Sequence, residues 1–549
     1  MPPAVNSHFR PVVDTAVLVA LAAALAYGLV LRLWILAHTP LFGDEAVAGL
    51  MARRIAAGHF SAFYWGQTYG GVEPYITALL FRLGGSGTTT LNLTTTVLAA
   101  LAAGLVAAIV WTASGRRRPA LATGALAWVF PYSMVWNSVR EVGFRYAALC
   151  CGLAALLCAV RLQRRRAGPL GFAALGLALG LGWWASPEIV YFIPSSLVLY
   201  VGWWRKSGDG GEGEERQTRM RRLAGATAIT AGGTLLGSMP WWYANIQSGF
   251  ASLQVPASQG TGGIGYGDRF TVFFHYMLPI QLGLRTVPGA PWVGGAHLGH
   301  VLYALALVLV TACLVRAVWL VRDDPSTLTP LALAAGIVAF PFIYAAVPAA
   351  AYWVDGRYGL FLPFMVVPLV ALCSFGAIGR PKVWRVATLA GNGVGLLGVT
   401  LLVLGAGHAA GIPTSPRAFF SGWGNPNAPM DHVVDEMAAH HVRFAYGDYW
   451  VSYDLEFIGQ GRVTVSPTNM DVQRLHSLLA QVQASPDPAW LFFAPGQNAA
   501  SAFSNPQPGP GPYTEATFEA FLAGRNTTFR VVHLGVLDAV IPARRLVLP

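Results

Sequence analysis

The sequence predicts an α-helical polytopic membrane protein of about 11 transmembrane helices, followed by a small C-terminal extracytoplasmic α/β domain. Three observations predict it. Hydrophobic residues make up 54% of the chain and charged residues 11%, and the mean hydropathy is +0.50, a balance for which the bilayer is the expected solvent. Apolar stretches of roughly 20 residues recur, each long enough to cross the ~30 Å hydrocarbon core as a helix that satisfies its own backbone. After residue 410 the charges become mixed and short strand and helix patterns alternate.

Taken in order, residues 12–36 are too long for a signal-peptide core and lack a small-residue cleavage site, so they are expected to be a retained helix. Further spans are expected at 91–113, 119–136, 143–160, 168–185, 188–204, 223–245, 299–320, 328–346, 357–377 and 386–406. An odd number places the termini on opposite sides. Short cytoplasmic loops retain Lys and Arg. Arg10, Arg116, Arg117, Arg118, Arg161, Arg164, Arg165, Arg166, the basic run in 205–222, Arg316, Arg322, Arg380, Lys382 and Arg385 all fall on one side, more than half of the chain's 36 basic residues. The expected setting is a cell (plasma or inner) membrane, with the N-terminus cytoplasmic. The net charge of +11 then reflects topology and anionic-lipid contact, and nucleic-acid binding is not expected. All five cysteines lie in apolar stretches, so no disulfide framework is implied.

The opposite face receives a loop at 37–90, a loop at 246–298, turns near 137–142, 186–188 and 347–356, and everything after 407. The expected organisation is a transmembrane catalytic domain over 1–410, a linker over 411–429 and an α/β domain over 430–549. Within the last, helices are expected at 430–441, 471–483 and 514–523, and strands at 443–447, 462–466, 489–494 and 529–541. Pro/Gly-rich 495–512 is a loop inside it.

The outer stretch LFGDEAVAGLMARRIAAGHFSAFYWGQTYGGVEPY (41–75) carries the strongest functional signal. Residues 45–57 have the pattern of a short amphipathic helix lying in the interface, with Val47, Leu50, Met51 and Ile55 on one face. Asp44 and Glu45 sit at its N-terminus, where a carboxylate gains about 0.3–1 kcal/mol from the helix dipole. A capping role and a chemical role are both open at this point. The other outer acids, Glu73, Glu141, Glu188, Asp268 and Asp355, and the arginines Arg53, Arg54, Arg140, Arg145, Arg269, Arg285 and Arg357, lie mostly beside membrane boundaries. Ionisable groups there face cavities or each other, and so gather into a polar site suited to a lipid-linked anion. Glu141 can line that site, orient Arg140, or form a plain ion pair with Arg140 or Arg145. In the tail, Asp448, Asp454 and Glu456 read as solvated or structural.

The order of a long first helix, then GDEA, a short helix, YWGQTYGGVEP and a short apolar stretch ending in FRLGG resembles the first outer loop of the GT-C superfamily. Within it, the chain is similar to the protein O-mannosyltransferase and aminoarabinose-transferase-like group, whose members use polyprenyl-phosphate sugars. WNSVREVGFRYAALCCG (136–152) and YWVDGRYGLFLPF (352–364) agree in place and kind, and YGDYWVSYDLEFIGQGRV (446–463) resembles the extracytoplasmic tails of bacterial members. The resemblance implies that Asp44 is the general base for an acceptor hydroxyl or part of an acceptor and metal site, with Glu45 its acidic neighbour. It implies that Arg140, Arg357 and Tyr358 serve the lipid phosphate. Gln67, Tyr69, Glu73 and Glu141 are further donor-site candidates. Near Glu73–Pro74 the chain departs from the aminoarabinose-transferase pattern, which has a lysine next to proline. An aminoarabinose donor and a lipid A acceptor do not follow.

Displacing polyprenyl phosphate from an anomeric carbon needs a base for the acceptor proton and positive charge for the leaving phosphate. A single attack opposite the phosphate inverts the centre. The expected function is therefore an inverting transfer from a polyprenyl-phosphate sugar to a hydroxyl of a cell-envelope glycan, glycolipid or protein. The alternative is a transporter or flippase, and a non-catalytic scaffold is the third class. Asp44, Glu45 and Glu73 are the candidates for a divalent cation such as Mg or Mn, without diagnostic spacing. GTGGIG (260–265) follows no expected strand, and 255–268 reads as a loop over the site. His297 and His300 lack a third ligand. Trp65, Tyr69, Trp241, Trp242, Tyr243 and Trp353 read as interfacial aromatics, with sugar stacking as a second use.

Overall fold

The structure, a computed structural model, describes residues 10–141, 143–164, 168–206, 216–253, 264–287, 289–324, 327–347, 354–375, 405–413, 415–468, 473–497 and 514–546. The chain divides into two compact units. One comprises Met1–Trp34, Thr95–Val139 and Phe144–Phe419, and the other Ile35–Thr94, Arg140–Gly143 and Phe420–Pro549.

Long apolar sequence becomes helix because only helix satisfies the backbone without water. Among the described residues, five helices are long and apolar enough to cross a membrane: Leu18–His38, Thr88–Ser114, Arg145–Gln163, Ala296–Arg322 and Leu328–Ala346. Pro169–Ala185 and Pro363–Ser374 are shorter apolar helices. The other expected spans are interrupted. The 119–136 stretch is a helix Arg117–Val129 followed by Tyr132–Asn137, with Pro131 between them. The 188–204 stretch opens as a tight turn, Pro187–Phe192, before Ile193–Lys206. The 223–245 stretch is two helices, Arg216–Gly237 and Met239–Gln247. Residues 386–404 lie outside the described residues. Proline explains two of the breaks, since it cannot donate to the preceding turn.

In the first unit, Pro169–Ala185 packs on Arg216–Gly237 along a seam of glycines. A Cβ at Gly176 would come within 2.0 Å of the Thr230 carbonyl, and one at Gly180 within 2.1 Å of the Thr234 carbonyl. Missing side chains let two backbones approach, which is how helices associate where no hydrophobic driving force separates them from lipid.

The second unit is built on a five-stranded sheet of order β2-β1-β3-β5-β4, from β1 (Phe444–Gly447), β2 (Thr464–Pro467), β3 (Ala489–Phe493), β4 (Phe529–His533) and β5 (Leu537–Pro542). β2 and β3 flank β1 in parallel, with Ala445 opposite both Val465 and Ala489. β5 runs antiparallel to β3 and β4. Helices Ala428–Ala439, His476–Ala484 and Glu515–Gly524 lie close to the expected ranges.

A further helix, Tyr449–Gly459, was not expected. Asp448 caps it, accepting from the Val451 N–H at 2.9 Å, and it ends at Gln460, whose φ is +50°, and Gly461, whose φ is +85°.

After α1 (Arg10–His38), the same unit contains α2 (Gly43–Ala56) and α3 (Val72–Gly84). The interfacial reading of α2 is corrected. Val47 and Met51 are fully buried, and with Leu50 they join one apolar core with Val434, Leu455, Phe457 and Val465. Burying each such side chain contributes about 1.5–3 kcal/mol. Two glycines set the contact. A Cβ at Gly43 would meet the Trp450 ring at 2.8 Å, and one at Gly49 the Phe457 ring at 2.3 Å. Arg53 is also tied down, donating to the Phe457 and Ser86 carbonyls, each at 2.7 Å.

Candidate active site

Asp44 lies in the first turn of α2, yet it is no cap. Phe42 holds the N-cap position without a side-chain bond, and its carbonyl accepts the Glu45 and Ala46 N–H groups. The Asp44 side chain is half-buried and points to the Tyr449–Gly459 helix, where the Tyr449 hydroxyl donates to Oδ1 at 2.8 Å. The Asp44 carbonyl accepts from the Tyr64 hydroxyl at 2.6 Å. Arg474 donates from Nε to the Tyr449 oxygen at 3.2 Å and from Nη1 to the Trp65 carbonyl at 3.2 Å. Burial, followed by the charge of Asp44, raises the Tyr449 phenol far above its ordinary range, so it stays protonated.

Glu45, fully buried, is bonded to Arg140 through Oε1 and Nε. The Asn92 amide donates to Glu45 Oε2 at 3.4 Å, and the Arg140 guanidinium lies 5.0 Å from the centre of the Phe42 ring. Burial raises the Glu45 carboxyl and Arg140 opposes that rise.

Glu73 and Glu141 are both without solvent exposure, and burial, followed by the charge of Glu73, pushes the Glu141 carboxyl well above its usual value. Glu141 also accepts from the Gly143 N–H at 3.0 Å and donates its own N–H to Asn92 Oδ1 at 3.2 Å. Asn92 therefore joins both carboxylate pairs. The ion-pair reading of Glu141 with Arg140 or Arg145 is overturned: Arg140 belongs to Glu45, and Arg145 lies 3.4 Å from Glu188.

Asp454 is fully buried, and neither of its oxygens has a hydrogen bond among the described residues. Burial, then the charges of Glu45 and Asp448, push it well above the usual carboxylate range. It is thus structural rather than solvated, and Glu456, half-buried, is pushed up to about 7, chiefly by desolvation. Gln67 and Tyr69 sit in a small closed loop in which the Tyr64 carbonyl accepts from the Gln67 N–H at 2.9 Å and the Tyr69 carbonyl from the Tyr64 N–H at 2.8 Å.

In the first unit, Arg357 and Tyr358 lie beside Arg145 and Glu188. The Arg145 guanidinium is 4.7 Å and that of Arg357 5.5 Å from the centre of the Tyr358 ring. Burial raises the Glu188 carboxyl, while Arg145 and Arg357 both lower it.

The candidate cation ligands do not form one donor set: Tyr449 occupies Asp44 Oδ1, Arg140 and Asn92 close Glu45, and Glu73 turns to Glu141. Among the described residues no group of three or more His, Cys, Asp or Glu side chains is placed to hold a metal ion. His300 donates from Nδ1 to the Ala296 carbonyl at 2.6 Å and packs on Trp292. Residues 254–263, which include most of the GTGGIG run, lie outside the described residues.

Sequence reasoning missed Tyr449, Arg474 and Asn92. The first lies inside the YGDYWVSYDLEFIGQGRV stretch, directly after a capping aspartate. The others carried no pattern.

No family model matches the chain, and no curated protein does. Solved structures do. The crystal structure of ArnT from Cupriavidus metallidurans bound to undecaprenyl phosphate matches with a TM-score of 0.53 at 15% identity, over 96% of this chain and 98% of that one. Its apo state matches with a TM-score of 0.51 at 14% identity over the same shares. The archaeal oligosaccharyltransferase AglB from Archaeoglobus fulgidus, in complex with an inhibitory peptide and a dolichol-phosphate, gives 0.49 at 11% identity, over 87% of this chain and 69% of that one. The likeness to ArnT is one of fold.

Proposed function

We propose that the protein is an integral-membrane glycosyltransferase that moves a sugar from a polyprenyl-phosphate donor to an acceptor hydroxyl on the extracytoplasmic face. The observation that carries the reading is Asp44. Its carboxylate is half-exposed and fixed through Oδ1, and Oδ2 has no protein partner among the described residues. In this reading Oδ2 takes the acceptor proton, the acceptor oxygen bonds to the anomeric carbon, and the bond to the phosphate oxygen breaks with inversion. The bonding pair leaves on the lipid phosphate. Positive charge for it is assigned to Arg357, with Tyr358, on the resemblance of YWVDGRYGLFLPF to the family's corresponding stretch. Arg140, closed by Glu45, is assigned to holding that buried acid in place. The ArnT structure holds undecaprenyl phosphate, and the fold shared with ArnT is the ground for assigning a polyprenyl-phosphate donor here.

The test is sugar transfer by detergent-purified protein from a panel of radiolabelled polyprenyl-phosphate sugars to membrane extract, with Asp44→Asn as the comparison. Asn keeps the shape and removes the base, so transfer from one donor is expected to fall by about a hundredfold or more. Undiminished transfer by folded Asp44→Asn removes Asp44 from the chemistry.

A further inference from the structure

We propose that Tyr449 and Arg474, both from the C-terminal segment, are positioning residues for the Asp44 carboxylate, so that the tail takes part in the transfer. This rests on Asp44 being the acceptor base. A phenol has one proton to give and lone pairs to receive with, whereas a guanidinium can only donate. Arg474 Nε, 3.2 Å from the Tyr449 oxygen, therefore takes up a lone pair and leaves the single phenolic proton for Asp44 Oδ1 at 2.8 Å. The chain of donors has one direction, from cation to phenol to carboxylate, and the cation polarises the O–H that holds the acid.

Arg474 is itself fixed. Its Nη1 donates to the Trp65 carbonyl at 3.2 Å, and its peptide N–H donates to the Tyr453 hydroxyl at 2.6 Å. Gly66 makes room for it: φ there is +72°, and a Cβ would lie 2.5 Å from Arg474 Nη1. The loop after α2, the Tyr449–Gly459 helix and the segment carrying Arg474 thus converge on one carboxylate oxygen and leave the other for the acceptor.

The experiment compares wild type, Asp44→Asn, Tyr449→Phe, Arg474→Gln and Arg474→Lys as full chains in the same transfer assay. Tyr449→Phe is expected to lower kcat by about tenfold or more, the worth of one hydrogen bond to a charged group, with the donor KM nearly unchanged. Arg474→Gln lowers kcat the same way by less, and Arg474→Lys partly restores it. A merely structural role lowers the amount of active protein and leaves the kcat of the folded fraction in place. Wild-type kcat in Tyr449→Phe, with Asp44→Asn inactive, overturns the proposal and spares the base. Full activity in Asp44→Asn overturns the base and this proposal together. If Tyr449→Phe does not fold, Arg474→Gln decides, and a wild-type kcat in it overturns the proposal.

Discussion

Glu45 and Glu141 are both buried acids, and they are stabilised by opposite means. Glu45 has a cation, Arg140, and an amide, Asn92. Glu141 has another acid, Glu73, whose charge raises it further, since two like charges cannot both persist in a low-dielectric site. The raised Glu141 carboxyl binds its proton more tightly in the folded state than in the unfolded one. Its stabilisation is whole below the ordinary glutamate value and is lost as the pH rises through the raised value. Thermal unfolding in detergent from about pH 5 to about pH 9 should show wild-type Tm falling on the alkaline side. Glu141→Gln, which keeps a donor toward Glu73, should match wild type at the acid end and exceed it at the alkaline end. A parallel fall in both would show that the pair does not govern the dependence. The sequence marked Asp44, Glu45, Glu73, Arg140 and Glu141 as polar residues beside membrane boundaries, and the structure gathers all five in one unit. It did not reveal the partners. Arg140 and Glu141 are adjacent, which favoured pairing them, but each is matched by a residue from another segment.

At the scale of elements, the pattern of α2 showed that one face is buried without showing what covers it. Val47, Leu50 and Met51 were legible as an apolar face, and a membrane interface was the local reading. The cover is the Tyr449–Gly459 helix, some 400 residues away in sequence. That helix was hard to see because Tyr449, Trp450, Val451, Tyr453 and Phe457 have the composition of a strand. Asp448 at its start and Gln460–Gly461 at its end were the available signals. The glycines of α2 now acquire a reason. Gly to Ala inside a helix normally stabilises by about 1 kcal/mol, but at Gly49 the added carbon meets the Phe457 ring. Gly49→Ala should therefore destabilise by about 1–3 kcal/mol, the usual cost of overpacking. Combining it with Phe457→Leu should recover part of the loss. Denaturant or thermal melts of the two variants check this, and a stabilised single variant would mean that the helices part easily.

At the scale of the whole molecule, composition was enough for the membrane helices, because hydropathy acts residue by residue and needs no partner. The interrupted spans were less legible, since Pro131 ends a helix inside a run whose hydropathy is continuous. The strands of the tail were placed to within a few residues, and their order was not, because β3 lies between β1 and β5 through pairings that no local pattern encodes. Residues 420–549 share one unit with the loop that carries Asp44, and this gives the tail a consequence beyond its own fold. Removing 420–549 takes away Tyr449, Arg474 and the apolar cover of Val47 and Met51. It also takes the Phe457 carbonyl that receives Arg53. The truncated chain should lose sugar transfer, and trypsin should cut after Arg53 and Arg54 far faster than in the full chain, because the opened α2 has lost the contacts that kept it folded. Transfer and protection both retained after truncation would make the tail an appendage. Protection retained with transfer lost would place its contribution in the chemistry of Asp44 alone.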